Sequence, residues 1–166
     1  AFRRPVAAKE VAPYVSLVRA QLEPAEDPTP PTGIQELTFK SYQGAWSKLP
    51  DFSMLKPLAE GPLRSGLLDL RVATLPEHFG VVFEGKLNAL QAGEYEFKIA
   101  SDDGCRLIVD GKTAVEHDGL HGASTKKGKV QLSAGVHAIR VEYFAYGQPN
   151  SLQAFWSGPG FVDTAL

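Results

Sequence analysis

The sequence is poor in cysteine and carries no large excess of charge of either sign. Its single cysteine, Cys105, cannot form an intramolecular disulfide or a zinc cage, and its apolar surroundings are typical of a small core side chain. The 17 Lys and Arg residues are balanced by 19 Asp and Glu residues, giving a formal charge of −2. Because no basic run or stripe occurs, the sequence argues against a nucleic-acid partner.

Long apolar runs and familiar catalytic motifs are also absent from the sequence. No segment approaches the ~18 consecutive apolar residues of a membrane span, so we expect no membrane insertion. The motifs G-x-S-x-G and H-E-x-x-H and a Gly-rich phosphate loop do not occur. The adjacent Asp102 and Asp103 cannot straddle a glycosidic bond, which needs carboxylates about 5–10 Å apart. We therefore expect a protein without enzymatic activity of its own.

The first 33 residues differ from the rest of the chain. Residues 1–22 end in an apolar pattern with helical spacing, which predicts a short helix at the end of a preceding domain or a strap across this one. Residues 23–33 are rich in proline and acidic residues, as in an extended linker. The chain starts with Ala1 and has no signal-peptide pattern, so we expect a portion of a longer protein.

Residues 34–166 carry the pattern of short antiparallel strands. Residues 95–100 and 137–144 alternate between apolar and polar side chains, and Asp110-Gly111 between two apolar runs predicts a tight hairpin turn. Residues 43–76 are predicted to be rich in loops. The fold class is therefore all-β, an antiparallel β-sandwich or barrel, with the short helix before it.

The order of these segments resembles the PA14 domain. The likeness is carried by "HFGVVFEGKLNALQAGEYEFKIASDDGCRLIVDGKTAVEHDGLHG" (residues 78–122), "GKVQLSAGVHAIRVEYFAYG" (128–147) and "SLQAFWSGPG" (151–160). "LTFKSYQGAWSKLPDF" (37–52) resembles the opening of the domain, so the likeness covers residues 34–160. The resemblance implies a β-sandwich or barrel, and in several family members the module binds carbohydrate.

A second, shorter resemblance concerns residues 1–22. They look like the end of a helical region of unknown function in large bacterial proteins that carry c-type haem modules elsewhere. Together the two resemblances imply an exported protein, periplasmic, at the cell surface or secreted, in which this module has other domains of the parent chain as neighbours.

Asp102 and Asp103 are the main candidate site residues. In PA14 adhesins the paired aspartates hold a calcium ion that binds sugar hydroxyls, and the peptide bond between them is cis. Calcium takes six to eight oxygen ligands, so adjacent carboxylates are a suitable nucleus for such a site. The alternative is structural, because an Asp before Gly104 can accept backbone N–H bonds in a tight turn. The adhesins supply a further Asn ligand where this chain has Ala145, and Asn150 is the candidate to replace it.

Three more residues complete the predicted carbohydrate site. Asp118 and His121 lie in a Gly-rich polar segment, and we expect their side chains either to hydrogen-bond locally or to line the rim of the pocket. The spacing of His117 and His121 would align metal ligands only on a helix. Tyr146, in the loop after the "IRVEY" strand, is the candidate for stacking on a sugar ring.

The resulting prediction is a non-catalytic carbohydrate-binding module within a larger exported bacterial protein, with calcium as the candidate cofactor. Two alternatives stay open at this level. One is a structural or protein-interaction spacer without a ligand. The other is a module that shapes the active site of an enzyme elsewhere in the parent chain, as PA14 domains do in glycosidases.

Overall fold

The computed structural model of the chain describes residues 33–166, which are almost entirely β-structure. The predicted N-terminal helix and nearly all of the predicted linker lie outside the described residues. The ten strands are β1 (Gln35–Gln43), β2 (Ala59–Pro62), β3 (Phe79–Ala89), β4 (Gly93–Asp102), β5 (Cys105–Val109), β6 (Lys112–His117), β7 (Ser124–Leu132), β8 (Gly135–Ala145), β9 (Ser151–Gly158) and β10 (Phe161–Ala165).

The strands form two antiparallel sheets that do not close into a barrel. One sheet has six strands in the order β2-β1-β3-β8-β5-β6, and the other has four in the order β10-β9-β4-β7. The longest ladder joins β3 to β8, with paired residues from Phe79↔Ala145 to Ala89↔Gly135. The predicted all-β fold is therefore confirmed as a sandwich rather than a barrel.

The core lies between the two sheets and consists of the alternate residues that face inward. Trp156 is its largest member, stacked on Tyr95 with ring centroids 5.4 Å apart and packed edge-on against Phe161. Cys105 is fully buried in the same cluster, as the sequence predicts. Burial raises the pKa of its thiol to about 11, so Cys105 is protonated and unreactive at neutral pH.

The turn between β5 and β6 has the predicted hairpin form. Asp110 and Gly111 both adopt positive φ, at 47° and 75°, which a two-residue turn of this kind requires. Residues 43–76 are mostly irregular, as expected, with two 3-10 turns (Phe52–Met54 and Leu70–Ala73) and the short β2. β2 and β10, the short edge strands of the two sheets, were not predicted from the sequence.

The corner between β4 and β5 is where the chain passes from one sheet to the other. β4 ends at Asp102 in the four-stranded sheet, and β5 starts at Cys105 in the six-stranded sheet. The paired aspartates therefore lie at one end of the sandwich, among loops from both sheets. Within residues 33–166, no helix has the length and apolar character needed to cross a membrane.

Candidate functional site

A buried tyrosine bonds to the backbone of the corner formed by Asp102, Asp103 and Gly104. The peptide bond between Asp102 and Asp103 is cis. Tyr143, on β8, donates its hydroxyl hydrogen to the backbone carbonyl of Asp102. Burial, reinforced by the two neighbouring carboxylates, raises the pKa of Tyr143 above its usual range, so the phenol remains a neutral donor.

The Asp103 carboxylate links two loops that are far apart in the sequence. Its side chain is buried, with only 8% of the residue exposed. One oxygen accepts the backbone N–H of His121 at 3.2 Å, and the other accepts the backbone N–H of Tyr146 at 2.8 Å. These two bonds satisfy a buried charge with backbone donors alone, so Asp103 fixes both loops against the corner.

Gly104 allows the corner to pack tightly against its neighbours. A Cβ atom at this position would lie 2.4 Å from the ring of Phe144 and 2.9 Å from the backbone nitrogen of Gly119. The carbonyl of Gly104 also accepts the backbone N–H of Phe144 at 3.0 Å. The glycine is therefore required by space, because one of the two neighbours is backbone that cannot rotate away.

The loop of residues 118–122 presents backbone, rather than its acidic side chain, to the corner. Asp118 is exposed, and its carboxylate accepts the backbone N–H of Leu49 at 2.7 Å, which ties in a loop from another part of the chain. The imidazole of His121 stacks on that of His117, with ring centroids 3.7 Å apart. Burial lowers the pKa of His117, and the adjacent His121 lowers it further. Parallel stacked rings do not converge on a metal ion.

The loop of residues 145–150 carries the exposed aromatic group of this end. Tyr146 is 47% exposed, and its ring meets that of His78 edge to face, with centroids 5.0 Å apart. Asn150 donates its side-chain N–H to the carbonyl of Pro76 at 2.8 Å, which leaves the amide oxygen as the atom it can offer to a ligand. Ala145 is fully buried.

The structure brings most of the predicted site residues to one end of the sandwich. Asp102 and Asp103 form the corner, and backbone bonds from His121 and Tyr146 enclose it. Asp118 and Asn150 are on the same loops, but their side chains bind Leu49 and Pro76. The ligand-binding roles of these residues stay predictions. The loops 44–49 and 74–78 were not predicted to lie here, since only tertiary contacts connect them to this end.

The donor set at the corner suits a hard cation only in part. Asp102 and Asp103 supply carboxylate oxygens, and each Asp103 oxygen keeps a lone pair beside the N–H bond that it accepts. Within residues 33–166, no group of three or more His, Cys, Asp and Glu side chains is placed to bind one metal ion. Most of the six to eight ligands of a calcium ion would have to be backbone carbonyls, water or ligand hydroxyls.

Comparison with known proteins identifies a family model and several relatives. The model described as "PA14 domain" matches residues 73–161, more than half of the chain. The anti-sigma-I factor RsgI3 of Acetivibrio thermocellus is 26% identical over 160 residues, which cover 90% of this chain but 22% of that protein. The chain thus spans about a fifth of the length of this curated relative.

Two solved structures show the same fold. A protein described as the "PA14 sugar-binding domain from RTX adhesin" superimposes with a TM-score of 0.59 at 21% identity, over 81% of this chain and 96% of that one. The A domain of epithelial adhesin 9 from Candida glabrata, in complex with Galβ1-3GlcNAc, superimposes with a TM-score of 0.56 at 11% identity, over 82% and 91% of the two chains. At these identities the matches establish the fold.

Proposed function

Because the chain belongs to the PA14 domain family, we propose that it is a non-catalytic carbohydrate-binding module, with its ligand site at the Asp102–Asp103 corner. Two neighbours of the same fold are described with a sugar function or a bound sugar, and they support this class of ligand. The family hosts other functions, so the proposal depends on the site rather than on the fold alone.

The observation that carries the proposal is that acidic and aromatic groups lie close together at one end of the sandwich. The carboxylates of Asp102 and Asp103 are acceptors for hydroxyl hydrogens, and Tyr146 lies next to them through its bond to Asp103. Its exposed ring offers an apolar face to the C–H side of a sugar. Sugar sites combine these two elements, with polar groups setting orientation and aromatic groups supplying contact area.

Calcium is the cofactor that we propose for this site. Two adjacent carboxylates repel each other, and a divalent cation between them offsets that repulsion and retains positions for hydroxyl oxygens. In this chain Asp102 and Asp103 would hold the ion, and Asn150 would offer its amide oxygen. The protein would keep the carboxylate of Asp103 in place through the N–H bonds that it accepts from the backbone of His121 and Tyr146.

Binding to an array of immobilised glycans, with calcium and with a chelator, tests the proposed function. We expect binding to at least one class of glycan, lost when calcium is removed and lost in an Asp102→Asn variant. Asp110→Asn is the matched control, because Asp110 is also an aspartate next to β5 but at its other end. Wild-type protein that binds no glycan under either condition would contradict the proposal.

A calorimetric titration with calcium separates the cofactor from the ligand. We expect heat of binding and a raised melting temperature for the wild type, and neither for Asp102→Asn, since ligands that bind only the folded state stabilise it. If the chelator left glycan binding unchanged, the carbohydrate function would stand, but calcium would not be its cofactor.

The second candidate is an interaction or spacer module without a small ligand. One specific observation favours it: both Asp103 oxygens already accept backbone N–H bonds, which gives the carboxylate a structural task. The similarity to an anti-sigma-I factor is compatible with such a role. Under this candidate, Asp103→Asn destabilises the fold equally with and without calcium, and Asp102→Asn changes no binding property.

Export of the parent protein follows from the same proposal, since its carbohydrate ligand would lie outside the cell. A neighbour described as an adhesin supports this location. Fractionation of cells that make the full-length protein tests it, with the protein expected in the periplasmic, cell-surface or secreted fraction.

A further inference from the structure

Aspartate is followed directly by glycine at three places in the chain: Asp103-Gly104, Asp110-Gly111 and Asp118-Gly119. Such a pair is open to isomerisation, because glycine has no side chain to hinder attack of its backbone nitrogen on the carboxyl carbon of the aspartate. The reaction needs that nitrogen beside the carboxyl group, and it needs access to water. The three pairs differ in both respects.

At Asp118 the attacking nitrogen already lies beside the carboxyl group. The backbone N–H of Gly119 donates to Oδ1 of Asp118 at 2.7 Å, so the nitrogen is next to Cγ, the atom that it would attack. The backbone N–H of Leu49 donates to the same oxygen at 2.7 Å. Oδ1 gains negative charge when the nitrogen adds to Cγ. The N–H of Leu49 therefore stabilises the intermediate, as an oxyanion-hole donor does.

The surroundings of Asp118 fix the nitrogen and leave the carboxyl group open to water. A Cβ placed at Gly104 would lie 2.9 Å from the nitrogen of Gly119, so Gly104 supports that nitrogen from one side. Nothing lies within 4 Å of a Cβ placed at Gly119 itself. Asp118 is exposed. Its carboxyl group can thus turn about its own side-chain bonds to meet a nitrogen that is held in place.

The other two aspartates bind groups other than the glycine that follows them. Buried Asp103 uses both oxygens to accept backbone N–H groups from distant loops. Asp110 accepts the ring N–H of His137 with one oxygen and the backbone N–H of Ala138 with the other. These bonds must break before either carboxyl group can react, whereas the bond from Leu49 to Asp118 assists the reaction.

From this geometry we propose that Asp118-Gly119 is a site of spontaneous isomerisation to isoaspartate. The nitrogen of Gly119 forms a bond to Cγ of Asp118, and Oδ2 leaves as water with the N–H hydrogen and the carboxyl proton, which gives a cyclic succinimide. Water then opens the ring. Opening at the original peptide carbonyl leaves the chain linked through Cγ and a carboxylate on Cα. The water lost in the first step is regained, so no other reactant is needed.

Isomerisation releases a contact that joins two loops of this end. The new linkage adds a carbon atom to the backbone and moves the carboxylate, so Leu49 loses its acceptor. Hydrogen exchange of residues 44–49 should be faster in the isomerised protein, because the N–H of Leu49 is no longer protected. Unchanged exchange would contradict this release. The inference does not depend on the carbohydrate function proposed above.

Tryptic digestion allows the three pairs to be followed in one sample. Cleavage after Lys and Arg places them in the separate peptides 99–106, 107–112 and 113–126. Folded wild-type protein is kept warm at neutral pH, and electron-transfer fragmentation measures the isoaspartate in each peptide over time. We expect Asp118 to react about tenfold faster than Asp103 or Asp110, because its nitrogen is already in contact. Protein kept unfolded in urea is the control, and there the three rates should be similar.

Two matched variants give a second readout, because asparagine forms the same succinimide by losing ammonia and the opened product has a changed mass. Asp118→Asn should be converted faster than Asp110→Asn when both proteins are folded, as measured by mass spectrometry of the two peptides. Isoaspartate that forms no faster at Asp118 than at the other two sites in the folded protein overturns the proposal. An equal advantage of Asp118 in urea also overturns it, since the local sequence rather than the folded contact would then set the rate.

Discussion

The two ends of β5 carry the same residue type in two different settings. At one end, buried Asp103 accepts two backbone N–H groups from distant loops. At the other end, Asp110 has a side chain that is 48% exposed, and it accepts the ring N–H of His137 and the backbone N–H of Ala138. Both carboxylates therefore fasten β5 to an end of β8, one through backbone groups in the interior and one through an ion pair near solvent.

The difference separates the candidate site from a simple turn. The hairpin at Asp110 is open: its carboxylate bonds to two adjacent residues of the single strand β8, and nothing lies within 4 Å of a Cβ placed at Gly111. The corner at Asp103 joins segments 18 and 43 residues away and is enclosed by them. We expect the corner to be more sensitive to substitution than the hairpin, and three predictions measure this.

The largest expected effect comes from replacing each carboxylate by its amide. Asp103→Asn should lower the free energy of unfolding by about 3 kcal/mol, since a buried N–H₂ group would face a backbone N–H donor. Asp110→Asn should cost about 1 kcal/mol, because solvent screens the half-exposed pair and asparagine tolerates positive φ. Urea unfolding of the two variants measures both changes in unfolding free energy. Equal losses of stability would contradict the distinction between the corner and the hairpin.

The neighbouring glycines should differ next, for two separate reasons. Gly104→Ala should cost about 2–3 kcal/mol through overpacking against Phe144 and Gly119. Gly111→Ala meets no atom but must hold a φ of 75°, which costs about 1–2 kcal/mol. Thermal unfolding followed by circular dichroism compares them. A larger loss in Gly111→Ala would contradict this ranking. It would show that the residues around Gly104 can move to accommodate a methyl group.

The smallest effect is a pH dependence at the hairpin end. The hydrogen bond that His137 donates to Asp110 raises the pKa of His137 and lowers the pKa of Asp110. The stabilisation from His137 is full below its ordinary pKa of 6.5 and is lost as pH rises through the raised value. The stabilisation from Asp110 is present above 3.8 and is lost as pH falls through the lowered value.

Urea unfolding of the wild type and Asp110→Asn at two pH values checks this dependence. The difference in unfolding free energy between them should be larger near about pH 5.5 than near about pH 9, on either side of the usual range of histidine. Subtracting one protein from the other cancels the titration of groups elsewhere. A difference that does not vary with pH would contradict the assignment of the pair.

The fold was predictable from the sequence because local patterns and sheet packing agree. Alternating residues in β4 and β8 face the core as expected, and Asp110-Gly111 forms the predicted turn. Trp156 and Phe155 point to opposite faces of β9, and Trp156 is the one in the core. The edge strands β2 and β10 lacked such a signal, since neither contains a buried residue.

The site was predictable only where its residues are close in sequence. The pair Asp102–Asp103 stands out as two adjacent carboxylates before a glycine, and the exposure of Tyr146 follows from its place in a loop. The partners of Asp110 and Tyr146 did not stand out, because His137 and His78 reach them through tertiary structure alone. Single histidines without a neighbouring motif give no sequence signal of their role.

The most direct test of the account is a binding titration with the glycan that gives the strongest array signal, in the presence of calcium. Wild type, Asp102→Asn and Asp110→Asn are compared side by side, with the folded fraction of each checked by circular dichroism. The account predicts that Asp110→Asn binds like the wild type and that Asp102→Asn loses binding while remaining folded. Equal binding by all three proteins would contradict the assignment of the ligand site to the Asp102–Asp103 corner.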